Sequence, residues 1–141
     1  MSEPFVHELR VRYGECDPQG IVFNANYLLY LDVAFTELWR ELVGPWMDMA
    51  ERGVDVVVAE INLRFRGPGR YDDVLRITPR IVALGTSSLQ LESEIARDGE
   101  VLLEARSRYV AVDATTWAKT EIPAWLRERL EPAVQAGDAI R

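Results

Sequence analysis

The chain has 141 residues, 48% of them hydrophobic and 28% charged, with a formal net charge of −7. That length fits one domain over 1–141, with a core of useful size but no room for a second. The acidic balance argues against nucleic-acid or anionic-membrane binding, though locally clustered Arg can still hold a polyanionic small ligand. One Cys and one His give no disulfide framework and no metal-ligand set, so no metal or cofactor is expected and the compartment expected is the cytoplasm. The opening "MSEPFVHELRVRY" lacks the apolar core of a signal peptide. No stretch approaches the roughly 18 apolar residues of a membrane span.

Residues 5–13 alternate, with Phe5, His7, Leu9, Val11 and Tyr13 on one face, which predicts a strand buried on one side. Pro18 and Gly20 then end any regular element. From about Asn24, Leu28, Leu31, Phe35, Leu38 and Leu42 recur at spacings of three and four, the stripe of an amphipathic helix that Val33 and Ala34 widen. Asn24 or Asn26 is placed to cap it, and Gly44-Pro45 stops it. "WMDMAERG" reads as a short helix closing at Gly53.

Strands follow. "VDVVVAEINLRFR" is long and β-branched and ends at the turn cluster "GPGRYDD". "VLRITPRIVAL" runs into "GTSS", and "LQLESEIAR" meets "DG", a strong hairpin signal. "EVLLEARSRYVAVD" is long enough to bend across a curved sheet. "TEIPAWLRERLEP" reads as a helix with Pro123 near its first turn. Strand, long helix, about four antiparallel strands and a terminal helix give an α+β fold, one sheet wrapped around a central helix.

The stretch "GECDPQGIVFNANYLLYL" carries the chemistry. Pro18 biases Asp17 away from helical backbone angles, and Gly20 permits a tight turn, so the bend fixes where the carboxylate points. The first-turn N–H groups of the helix, around Phe23, Asn24 and Ala25, lack intrahelical partners and carry the positive end of the macrodipole. A carbonyl placed there has its oxygen on those N–H groups while Asp17 attacks it or activates a water. An Asp that merely caps or turns the chain is the open alternative.

"YGECDPQGIVFNANYLLYLDVAFTE" also resembles the 4-hydroxybenzoyl-CoA thioesterase family of hotdog-fold acyl-CoA thioesterases, through Tyr13, Asp17, Gly20, Val22, Asn26 and Tyr27. The likeness continues in order through "RYDDVLRITPRI", "GTSSLQLESEI", "EARSRYVAVD" and "IPAWLRERL". It implies a hotdog fold with sites at the interface of a homodimer or a dimer of dimers. It further implies Asp17 as the catalytic carboxylate and the Asn24 backbone N–H as the oxyanion donor. Gly20, Phe23, Asn26, Tyr27, Glu60, Thr86, Ser87 and Ser88 become candidates for substrate contact. The substrate implied is an acyl-CoA, aromatic or short-to-medium acyl groups among the candidates. Residues 85–88 are neutral where some relatives carry Arg or Lys for the nucleotide phosphates. That leaves an acyl carrier protein open as carrier of the phosphopantetheine thioester, and a non-catalytic acyl-CoA-binding module is the rival from another class.

The remaining candidates have plainer readings. His7 on an apolar face is expected to be a packed or edge histidine. Without a His near Asp17, hydratase and dehydratase chemistry is not expected. No G-x-S-x-G elbow is present for a serine hydrolase. Cys16 lacks a basic neighbour and reads as an inert thiol. Glu15 is expected to face solvent or a salt bridge. Glu60 interrupts an apolar strand and, if buried, needs an Arg. Arg64 and Arg66 share one strand face and Arg106 and Arg108 another, the best available phosphate contacts if a nucleotide binds. The four Trp residues are expected to pack helices or subunit contacts.

Overall fold

In the computed structural model, residues 4–135 are described, so the expected domain over 1–141 extends beyond them at both ends. The elements are β1 (His7–Arg10), α1 (Asn26–Leu42), α2 (Trp46–Glu51), β2 (Val54–Phe65), β3 (Val74–Leu84), β4 (Ser88–Arg97), β5 (Glu100–Asp113) and α3 (Ala124–Leu130). The five strands form one antiparallel sheet in the order β1-β3-β4-β5-β2. β2 is therefore an edge strand of 12 residues.

Local chemistry sets the corners. Asp98 and Gly99 at the β4–β5 hairpin both take positive φ, 50° and 81°, the conformation that favours Asp-Gly in a two-residue turn. α1 ends where Gly44 adopts φ 122° and both Val43 and Gly44 donate to the Trp39 carbonyl. Pro123 stands immediately before the first residue of α3.

α1 lies across one face of the sheet and divides the core. Its first half buries Tyr27, Tyr30, Leu31 and Ala34 against Leu75, Ile77, Ile95, Leu102 and Leu103. Its second half buries Phe35, Leu38 and Trp39 with Leu89, Leu91, Tyr109 and, from α3, Leu126 and Leu130. Each such aliphatic side chain contributes roughly 1.5–3 kcal/mol through burial. Phe35 stacks on Tyr109 at 4.2 Å between ring centroids, and Trp46 packs on Trp39 at 5.3 Å. Trp125 lies beneath the Arg52 guanidinium at 3.7 Å.

Several expectations are corrected. The buried stripe of α1 is completed by Tyr27, Tyr30 and Trp39, whereas Leu28 and Val33 face outward. Tyr13 is 80% exposed because the chain leaves β1 after Arg10 and enters a 3₁₀ turn over Tyr13–Glu15. Neither Asn caps α1: no side chain caps its start, and the Asn26 amide donates instead to the Glu15 carbonyl at 2.8 Å. Glu60 is not buried; it is exposed on β2. A bulge between Val58 and Glu60 shifts the register and sets Glu60 opposite Arg108, a displacement that strand alternation does not reveal.

Candidate active site

Asp17 stands at one end of a short antiparallel ribbon. Its N–H donates to the Ile21 carbonyl at 2.9 Å, the Phe23 N–H donates to the Glu15 carbonyl at 2.9 Å, and Cys16 bridges to Val22 between them. Within the turn the Gly20 N–H donates to the Asp17 carbonyl at 2.9 Å, with Gly20 at φ 80°, a conformation cheap only for glycine. The Asp17 Oδ1 accepts from the Gln19 N–H at 2.8 Å. Its Oδ2 has no hydrogen-bond partner among the described residues. One Asp17 oxygen thus shapes the turn, and the other has no hydrogen-bond partner among the described residues.

The ribbon feeds directly into α1. The Phe23 N–H, one of the three candidate donors, is already taken by Glu15. The N–H groups of Asn24 and Ala25 have no acceptor among the described residues, and both residues are exposed. An N-terminal turn with unpaired donors and a helix dipole behind it suits a developing oxyanion.

The ribbon is tied to the β2–β3 loop. Val22 donates to the Gly69 carbonyl at 2.8 Å, and Ile21 bridges to Arg70. Tyr27 is buried, and its hydroxyl accepts from the Gly69 N–H at 2.9 Å. Burial is the main cause that raises the Tyr27 pKa, which keeps the hydroxyl neutral. Tyr27 thus ties the β2–β3 loop to α1, and Asn26 ties the start of α1 to the Glu15 carbonyl.

Glu15 lies at the hub. Its Oε1 accepts from the Arg12 N–H at 2.8 Å and from the Tyr30 hydroxyl at 2.9 Å. Its Oε2 accepts from Arg12 Nε at 2.8 Å. Burial alone would raise its pKa, but the Arg12 side chain, the Arg12 backbone and Tyr30 outweigh that and hold it below the usual range. Burial first, and then Glu15, push the Tyr30 hydroxyl pKa up. The expected salt bridge is present; the tyrosine partner, 15 positions away, carried no local signal.

The structure brings Asp17, Gly20, Phe23, Asn24, Asn26 and Tyr27 to one end of the sheet. Thr86, Ser87 and Ser88 lie at the other end of the same chain, separated by the length of β3, 11 residues or roughly 35 Å. At that turn, Arg127 of α3 donates to the Gly85 carbonyl at 2.6 Å, so a cation does stand beside "GTSS". Glu60, Arg64, Arg106 and Arg108 line a groove of about 640 Å³ that does not include Asp17. Arg66 pairs instead with Glu104 at 2.6 Å.

The family model described as the thioesterase-like superfamily matches residues 11–130. The chain belongs to the thioesterase-like superfamily. Among curated proteins of this kind it is 32% identical over 107 residues to the putative acyl-CoA thioesterase YneP of Bacillus subtilis, covering 75% of this chain and 78% of that one. It is 30% identical over 134 residues to the 4-hydroxybenzoyl-CoA thioesterase of Pseudomonas sp. strain CBS-3, covering 88% and 95%. A thioesterase-superfamily structure from Jannaschia sp. CCS1 superposes with a TM-score of 0.90 at 24% identity, covering 96% of each chain. A gentisyl-coenzyme A thioesterase superposes with a TM-score of 0.81 at 26% identity, covering 89% of this chain and 99% of that one. The curled five-stranded antiparallel sheet around α1 is the superfamily's hotdog fold.

Proposed function

We propose that the protein hydrolyses acyl-CoA thioesters, with Asp17 as nucleophile or general base and the Asn24 N–H as oxyanion donor. One observation carries this reading: a carboxylate oxygen without a partner stands on a ribbon leading straight into the unpaired N–H groups at the start of α1. The thioester oxygen is polarised by the Asn24 N–H as negative charge develops on it. Asp17 then either attacks the carbonyl carbon, expelling the CoA thiolate and leaving an anhydride that water cleaves, or removes a proton from the attacking water. The superfamily assignment supports thioester hydrolysis, and the names of the curated relatives support an acyl-CoA as its substrate.

A second copy completes the site in this reading. β2 leaves one edge unpaired among the described residues, and Val58, Ile61 and Phe65 along it are 56%, 36% and 51% exposed. An apolar edge strand of this length is a template for pairing. Antiparallel pairing of two β2 strands reverses the partner end for end, so its Thr86–Ser88 turn reaches the end where Asp17 lies. Those hydroxyls and N–H groups suit pantetheine amides, and Glu60, Gly20 and Phe23 remain candidates for substrate contact.

The test is free-thiol release from aromatic, short-chain and long-chain acyl-CoAs. Turnover supports the enzyme, whereas tight binding without turnover supports a binding module. The nucleotide is expected to contribute weakly, because "GTSS" itself is neutral and the Arg127 Nη2 is engaged by backbone carbonyls. The KM for an acyl-pantetheine should lie within about tenfold of that for the acyl-CoA, a gap under ~1.4 kcal/mol. A hundredfold, salt-sensitive gap contradicts this.

A further inference from the structure

We propose that Glu15 is a positioning residue of this site: its carboxylate and carbonyl together fix the Asp17 ribbon against the start of α1. The inference rests on the reading of Asp17 as the catalytic carboxylate and extends it to a residue that touches no substrate.

Two sets of bonds meet at Glu15. From the ribbon side its carbonyl receives the Phe23 N–H at 2.9 Å and the Asn26 amide at 2.8 Å, the residues flanking Asn24 and Ala25. From the core side its carboxylate receives the Tyr30 hydroxyl at 2.9 Å, and Tyr30 is itself buried one turn further along α1. The same Oε1 receives the Arg12 N–H at 2.8 Å, closing the 3₁₀ turn that delivers the chain to Cys16 and Asp17. Glu15 therefore links α1 at Tyr30, α1 at Asn26 and the ribbon at Phe23.

A surface salt bridge does not account for this arrangement. The Arg12 side chain is 79% exposed whereas that of Glu15 is 11% exposed, and a pair so open on one side contributes little. The bond that matters most is to the Tyr30 hydroxyl, which is part-buried on the core side, where an unmade bond is expensive. Relaxing it lets Asp17 and the Asn24 N–H drift apart. A misplacement of about 1 Å costs up to a hundredfold in rate without requiring any loss of binding.

The test compares Glu15→Ala, Glu15→Gln and Tyr30→Phe with the unsubstituted full chain by steady-state kinetics on an acyl-CoA that it turns over. Amide hydrogen exchange at Gln19 and Phe23 is measured alongside. Glu15→Ala is expected to lower kcat by about tenfold or more, to leave KM within about threefold, and to speed exchange at both amides. Glu15→Gln keeps an acceptor oxygen for Tyr30 and the Arg12 N–H, so it should recover most of the loss. Tyr30→Phe, which keeps the ring in the core, should lower kcat in the same direction if Glu15→Ala does not fold. A kcat within about twofold of the parent for Glu15→Ala and Tyr30→Phe, or unchanged exchange at Gln19 and Phe23, overturns the proposal. Asp17→Asn separates the two claims: retained activity there overturns the catalytic reading, while the exchange data still decide whether Glu15 holds the ribbon.

Discussion

The Gly69 N–H donates to the Tyr27 hydroxyl at 2.9 Å, a close approach of the backbone to that side chain. A Cβ on Gly69 would stand 3.2 Å from that hydroxyl and 3.2 Å from Val22 Cγ2. This contact clamps the β2–β3 loop to α1 and to the ribbon that carries Asp17. Gly69→Ala should therefore destabilise by about 1–3 kcal/mol through overpacking. Tyr27→Phe should cost about 1–3 kcal/mol by leaving a buried N–H without an acceptor. Urea unfolding measures both, and midpoints equal to the parent's would contradict the clamp.

Acid stability should depend on Asp73. Burial alone would raise its carboxyl, but hydrogen bonds from Arg97 and the Arg70 N–H outweigh that and hold its pKa below the usual range. A depressed folded pKa means that the unfolded chain binds the proton more readily. The stabilisation is therefore present above the unfolded value of about 3.9 and is lost as pH falls through the folded one. Glu15 contributes with the same sign. Asp73→Asn should lower Tm at neutral pH and flatten its fall between about pH 5 and pH 2. An unchanged slope would contradict this.

The unpaired β2 edge makes assembly testable. Light scattering at micromolar concentration should give at least twice the chain mass of 16.0 kDa. Val58→Arg sets a charge on the exposed apolar edge and should shift the protein toward monomer with loss of turnover, because the Thr86–Ser88 turn then no longer reaches Asp17. A fully active monomer would contradict the shared site.

What was legible in the sequence was what local chemistry determines. Pro18 and Gly20 announce the Asp17 turn, Gly44-Pro45 the end of α1, and Asp98-Gly99 the hairpin. The core half of α1 was legible through Leu31, Phe35 and Leu38, and Trp39 through its expected packing role, but Tyr27 and Tyr30 were not assigned to it because a tyrosine serves core and site alike. Glu60 misled because a bulge depends on how β2 registers with β5, not on β2 itself. The polar ties were hidden for a related reason. Tyr27 meets Gly69 at a separation of 42 residues and Arg127 meets Gly85 at 42, and no local pattern encodes either pairing. The Glu15 carboxylate was seen as an ion-pair partner, but its hold on Tyr30 emerges only when the chain folds back on itself.

The most direct measurement is kcat for Asp17→Asn on an acyl-CoA that the parent hydrolyses. The substitution keeps an oxygen to accept the Gln19 N–H and leaves the Asn24 and Ala25 donors untouched, so the fold and substrate binding should persist. The account predicts a fall in kcat of roughly a hundredfold or more with little change in substrate affinity. Activity within a few-fold of the parent would contradict it, and would leave Asp17 with only its turn.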